Sequence, residues 1–277
     1  MSSAIKLIPR RSGARGHSDL GWLKTAHTFS FASYQDPNFM SWGPLRVINE
    51  DRVEPGEGFG THSHREFEIF SLILDGELEH KDSLNNLEIM KPDEVQMTST
   101  GTGVTHSEYN RNPSKRVHFL QCWAVPSKRQ LAPAYYNRHF PRESKLNKLV
   151  KVVAPKHAPG VVDQRDNASG PTPINANLSV FASVLEAGKE VKHELAADAV
   201  RGYIHLAMKS GYRKPDVSAA EAYPDGGAHV TVNEGMVLEE GDGAFVKVDK
   251  EAGEGRSLTF KNVGDKDAEF VLFEMTE

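Results

Sequence analysis

The segment Gly58-Phe59-Gly60-Thr61-His62-Ser63-His64 and, further along, His106-Ser107-Glu108 each hold two ligand-type side chains one residue apart. In an extended strand the residues at i and i+2 face the same side, so each pair can aim both of its groups at one point. Three imidazoles and a carboxylate together make a metal site. Sites of this kind that do chemistry keep coordination positions open, and an all-N/O donor set suits Fe, Mn, Cu, Ni or Zn. Such a site requires strands at both places, and this sets the fold class.

Outward from these pairs, short β-like runs bounded by Gly, Pro, Asn and Asp recur at 67–74, 117–125, 178–185 and 270–273. This rhythm predicts an all-β protein, a sandwich or barrel. Only short helices are expected, over 215–222 and near Ser144. A degenerate repeat divides the chain. Glu54-Pro55-Gly56 precedes His62 much as Glu186-Ala187-Gly188 precedes His193, but the position two after His193 is Leu195, and the later turn Glu240-Gly241-Asp242-Gly243 is followed by no histidine. The second half therefore reads as a copy without the metal site, its His193, His205 and His229 being too far apart to propose as a cluster. The expected division is 1–140 and 141–277, with the Pro-, Lys- and Arg-rich stretch 126–155 as crossover.

With 277 residues, 38% of them hydrophobic, and 23 glycines, the chain can bury one large or two ordinary β cores, and no run is long enough to span a membrane. Its net charge of -5 offers no general attraction to nucleic acid. The lone Cys122 excludes an intrachain disulfide, lies in a strand-like run as an inert thiol, and is compatible with a reducing compartment, hence a cytoplasmic location. Lys6, Arg10, Arg11 and Arg15, with no acid among the first eighteen residues, are read as a basic surface start rather than a transit peptide.

Gly56, His62-x-His64, Glu68 and Gly76, followed by Gly103, His106 and Asn110, resemble the two signatures of the cupin superfamily. The match narrows further. Gly21-Trp22-Leu23, His27-Thr28-Phe29-Ser30-Phe31, the run from Gly43 to Asp51, Leu78-Glu79-His80-Lys81-Asp82-Ser83 and His106-Ser107-Glu108 resemble the pirin family, in particular its quercetinase-like branch. The resemblance is dense over 16–140 and thin beyond. It implies a bicupin of two antiparallel β-barrel (jelly-roll) domains, iron in the first and no metal in the second, and dioxygenase activity on flavonols. Two departures stand out: Ser63 replaces the proline usual between the first two ligands, and Pro92-Asp93-Glu94 replaces Pro-Gly-Asp. Both bear on pocket shape more than on metal binding.

Two carboxylates compete for the fourth ligand position. Cupins in general use the glutamate matching Glu68, which lies about 13 Å along an extended chain from His64. Pirins use the one matching Glu108, which shares a strand face with His106. The expected ligands are thus His62, His64, His106 and Glu108, around one divalent transition ion, iron by resemblance with Ni, Cu, Mn or Zn as alternatives. Glu68 is expected to support the site or pair with a cation such as Arg65. His80 and His118 are weighed as orienting residues, with a structural role favoured. Trp42, Phe39 and Met97 are candidates for the pocket mouth, with core packing favoured. His27 is read as a fold-specific hydrogen-bonding residue.

A divalent ion with three neutral imidazoles and one carboxylate carries a net charge of about +1, and a flavonol bound through its deprotonated 3-hydroxyl would neutralise it. Glu108 is the candidate catalytic base for that proton. By resemblance, ring opening by dioxygen with loss of carbon monoxide follows. The alternative is an iron-binding, redox-sensing regulator that acts as a transcriptional cofactor through protein partners, with a nuclear location. A sugar-phosphate isomerase, which would need Arg46, Arg52 or Arg65 in the pocket, ranks last.

Overall fold

The computed structural model describes residues 4–165, 168–233, 235–249 and 255–277. Two compact units emerge, each built almost wholly of antiparallel strands. The bicupin expectation is met.

The first unit spans Gly16–Phe140 and Val153–Asn177. Its large sheet has seven strands in the order Ala134–His139, Glu94–Ser99, Glu68–Asp75, Val117–Ala124, Leu45–Val53, Leu23–His27 and Gly16–Asp19. A four-stranded sheet runs Gly58–His64, Val104–Tyr109, Leu78–Asp82 and Leu87–Met90. Because successive side chains alternate sides, the two sheets present their inner faces to a shared interior. Leu23, Val53, Ile73, Leu78, Met90, Val117 and Phe119 fill part of that interior as an apolar cluster, with Trp22 and Phe59 packed on it.

The second unit contains the described residues 4–15 and 141–152 and those within Leu178–Glu277. Its larger sheet carries, in order, Ile5–Arg10, Gly243–Val248, Ala199–Leu206, Ala268–Thr276 and Leu178–Leu185. The smaller one runs Glu190–Glu194, Ser257–Asn262, His229–Val232 and Met236–Glu239. The two expected helices are single turns, Arg142–Lys145 and Ala219–Ala222, the latter held by a capping box between Ser218 and Glu221 rather than by Pro215.

A single cut after residue 140 differs from this grouping at both ends, because long-range partners decide it. Ile5–Arg10 pairs with Gly243–Val248 in register from Ile5↔Val248 to Arg10↔Gly243, which places the N-terminal strand in the second unit. Conversely, Asn175 donates its backbone N–H to Glu68 Oε2 (3.0 Å), and the Arg138 guanidinium donates to the carbonyls of Val162, Gln164 and Arg165, tying 153–177 into the first. Nor is 126–155 merely a connection, since Ala134–His139 is an edge strand paired with Glu94–Ser99. Among the described residues no helix is long and apolar enough to cross a membrane.

Candidate metal centre

His62 and His106 sit directly opposite each other on neighbouring strands. Past them the register slips, because the residue paired with Glu108 is Phe59, and the extra residue falls near Gly60 as a β-bulge. The strands also approach closely there: a Cβ on Gly58 would lie 2.3 Å from the Glu108 carbonyl oxygen, so only glycine fits. Along Val104–Tyr109 burial alternates strictly, with Val104, His106 and Glu108 inward, and His62 and His64 share the inward face of Gly58–His64.

The three imidazoles converge, with ring centroids 4.5 to 4.9 Å apart. His62 Nδ1 lies 2.7 Å from the Gly60 carbonyl; donating its proton there leaves the Nε2 lone pair free to coordinate. His62 Nε2 and His106 Nε2 are 3.1 Å apart. Two nitrogens each about 2.1 Å from a shared ion, at 90–109°, stand about 3.0–3.4 Å from each other, so the spacing fits a common ion. Burial, reinforced by the neighbouring His106 and His62, pushes His64 down to about 4. Burial, with His80 and His62, pushes His106 down to about 3. At neutral pH both rings are therefore uncharged, the form a metal requires. One oxygen or nitrogen from each of His80, His106 and Glu108 forms a second convergent group, so His106 belongs to both.

Glu108 is 2% exposed and its Oε2 accepts a hydrogen bond from Gln121 Nε2 (2.9 Å). His80, fully buried, stands across the strand pair from Glu108, with its ring 5.2 Å from that of His106. Its Nε2 is 3.0 Å from Asp82 Oδ2. Burial works to raise the Asp82 carboxyl, but hydrogen bonds from His80, from Asn86 through side chain and backbone, and from the Leu84 N–H outweigh it and take it down to about 2. Asp82 thus stays ionised and sets which nitrogen of His80 carries the proton. Sequence reasoning favoured a structural role for His80 and passed over Asp82 and Gln121. His80-Lys81-Asp82 repeats the one-residue spacing of the ligand pairs, which is a usable signal; Gln121 carries none of its own.

A cavity of about 550 Å³ opens onto His62, His64 and Glu108. Its apolar walls include Trp22, Phe31, Phe59 and Trp123, and its polar side is Asn49, Asp51 and Gln121. Trp123 packs edge-on against His64 at 4.7 Å, and Trp22 against Phe59 at 5.4 Å. His27 also lines it, with Nδ1 2.8 Å from Asn49 Oδ1, in keeping with its expected hydrogen-bonding role.

The other residues weighed from the sequence lie away from the centre. Glu68 is on the opposite face of its strand, accepting from Ser99 Oγ (2.6 Å) and Asn175, and burial raises its carboxyl against those bonds. Instead of pairing with Arg65 or the ion, it anchors the 153–177 segment. His118 bonds to Glu50 on the same outward face, 2.9 Å away. Trp42, Phe39 and Met97 do not line the cavity, Met97 being fully buried. Cys122 is buried, which pushes its thiol far above the usual range, as expected of an inert residue.

Residues 9–124 match the model of the family described as Pirin. Quercetin 2,3-dioxygenase from Escherichia coli K12 is 39% identical over 189 residues, spanning 68% of this chain and 76% of the relative. A pirin-like protein from Caulobacter vibrioides is 35% identical over 84% of this chain and 87% of its own length. The crystal structure of the bacterial pirin YhhW from Escherichia coli in complex with nickel(II) superposes with a TM-score of 0.76 at 31% identity, covering 98% of this chain and 99% of that one.

Proposed function

The chain belongs to the pirin family, and from that premise we propose that it is a metal-dependent dioxygenase that opens the ring of a flavonol such as quercetin with release of carbon monoxide. The observation that carries the proposal is the cavity itself, where His62, His64 and Glu108, with His106 converging behind them, meet an aromatic-walled space of about 550 Å³, within the range of small-molecule pockets.

In this reading His62, His64, His106 and Glu108 hold one divalent ion. Iron is assigned by resemblance, and the nickel(II) bound by the similar YhhW supports a site for divalent ions generally. When bound, the ion would act as a Lewis acid on the substrate's 3-hydroxyl, lowering its pKa. Glu108, buried and facing the cavity, takes the proton. Trp22, Phe31, Phe59 and Trp123 bracket flat rings and keep water away, while Asn49 and Asp51 offer polar partners to ring hydroxyls. The cytoplasmic location belongs to the same proposal.

The test is an aerobic assay of quercetin with protein of known metal content. Oxygen-dependent consumption with stoichiometric carbon monoxide is the expected result. Metal-loaded protein that leaves quercetin intact overturns the reading, and a protein partner that binds only one iron oxidation state would favour the regulatory alternative.

A further inference from the structure

Each oxygen of the Glu108 carboxylate has a different environment. Oε2 accepts from Gln121 Nε2 at 2.9 Å, and the Gln121 amide is itself oriented by Trp123, whose indole N–H donates to Gln121 Oε1 at 3.3 Å. Oε1 makes no hydrogen bond among the described residues. Gln121 and Trp123 both line the cavity, and Trp123 packs on His64, so one chain of contacts joins the cavity wall to the carboxylate.

A second observation comes from the other barrel. Asn110 Nδ2 donates to the Val53 carbonyl, and Asn262 Nδ2 donates to that of Leu185, which sets the two barrels in register. Two residues before these asparagines stand Glu108 and Phe260. Val117 pairs with Val53 and Ala268 with Leu185; four residues further along those strands stand Gln121 and Leu272. Where the carboxylate gives way to Phe260, the amide gives way to Leu272, and both replacements are fully buried in the apolar core. An amide with no carboxylate to serve would be a buried donor without a partner, which is costly.

We infer that Gln121 is a positioning residue for Glu108: by occupying Oε2, it leaves Oε1 as the single oxygen that would meet the ion and that, on releasing it, would take the substrate's proton. The inference rests on Glu108 being a ligand and base, as proposed above. It makes Glu108 a one-oxygen ligand and holds it as an acceptor while the cavity is empty of substrate.

The test uses nickel(II) titration of metal-depleted full-length protein and the EPR spectrum of the copper(II)-loaded form. Gln121→Leu, which copies the second barrel, and Gln121→Met, which keeps the length of the side chain, remove the donor in two shapes, so that one misfolding does not decide the outcome. Each is expected to weaken nickel(II) binding about 10- to 100-fold and to shift the copper(II) spectrum. In a Glu108→Ala background the same changes should add nothing to the loss. Unchanged affinity and spectrum in the folded Gln121 variants, or an equal further loss without Glu108, overturns the inference. Nickel(II) affinity unchanged in Glu108→Ala overturns it together with the ligand reading. Absence of flavonol turnover in the wild-type protein, with nickel(II) affinity still falling in Gln121→Leu, overturns the activity and the base role, and supports Gln121 as the residue that positions the Glu108 ligand.

Discussion

The two barrels share a frame and differ in what fills it. In the first, Gly56 has φ +77° and its N–H donates to the Asn110 carbonyl; in the second, Gly188 has φ +75° and donates to that of Asn262. Inside, His62, His64, His106 and Glu108 of the first correspond to His193, Leu195, Leu258 and Phe260 of the second. The single histidine left behind bonds to Glu274 at 2.9 Å and packs on Phe181 at 4.4 Å. Leu195, Leu258 and Phe260 join a continuous apolar core. One barrel thus keeps polar groups turned toward a cavity at the expense of apolar burial, and the other gives up that chemistry for a packed interior.

The largest expected effect comes from moving one residue of the second interior into the first. His106→Leu, copying Leu258, removes the imidazole shared by both convergent groups and should weaken nickel(II) binding by at least about 100-fold, read by equilibrium titration. Tight binding in that variant would break the assignment of the centre. Glu108→Gln is subtler, because its NH2 must face either the ion or the Gln121 donor and the amide cannot accept a proton as a carboxylate does. It should weaken nickel(II) binding about 10- to 100-fold while flavonol turnover of the metal-loaded form drops about 10²- to 10⁴-fold, and undiminished turnover would sink the base assignment.

The contrast also shows what could be read from residues alone. One-residue spacing with a common strand face put His62 with His64 and His106 with Glu108, because period-2 alternation is local; the choice of Glu108 over Glu68 drew on the pirin resemblance as well. Parity likewise puts Leu195 two residues after His193, at the place of His64, and it packs in the second core. Parity does not reveal which face is interior when a strand is buried on both sides, and Glu68–Asp75 is buried along all but its last residue. Hence parity allows Glu68 near the ion, although it faces outward. Pairings such as Ile5↔Val248 leave no local trace, so the division between barrels was drawn too simply. Gln121 was invisible because its role depends on a partner on another strand.

In the second barrel the large effect should be on stability. Phe260 is fully buried against Phe270, ring centroids 4.8 Å apart. Phe260→Ala should cost about 3–5 kcal/mol by denaturant unfolding and leave nickel(II) affinity at the wild-type value; a change in affinity would mean that the two interiors are coupled.

Acid should act on the first barrel. In the folded metal-free protein burial and the neighbouring imidazoles push His64 down to about 4 and His106 down to about 3, from an ordinary 6.5. Below 6.5 the unfolded chain therefore binds protons that the folded one refuses, so stability is complete above that pH and declines as pH falls toward 4 and 3. Asp82, ordinarily near 3.8 and held at about 2, loses its own contribution as pH falls from about 3.8 to 2, overlapping only the acid end of that window. Melting of metal-free protein between pH 7 and 4.5 should show the decline, and His106→Leu should flatten it. An equal slope in that variant would assign the acid sensitivity elsewhere.

The smallest effects should be the ones the barrels share. Asn110 donates to the carbonyls of Val53 and Lys115 and accepts from the Asn112 N–H; Asn262 donates to Leu185 and Lys266 and accepts from the Gly264 N–H. Both are fully buried. Alanine at either place leaves two carbonyls short of a donor and should cost about 1–3 kcal/mol, with the two losses within about 1 kcal/mol of each other. Asn→Asp at either position, which keeps the shape but not the donating N–H groups, should cost at least as much. The matched pair isolates the frame from the chemistry: if Asn110→Ala also abolished nickel(II) binding while remaining folded, the turn would be part of the metal centre, and the resemblance between the barrels would be one of outline only.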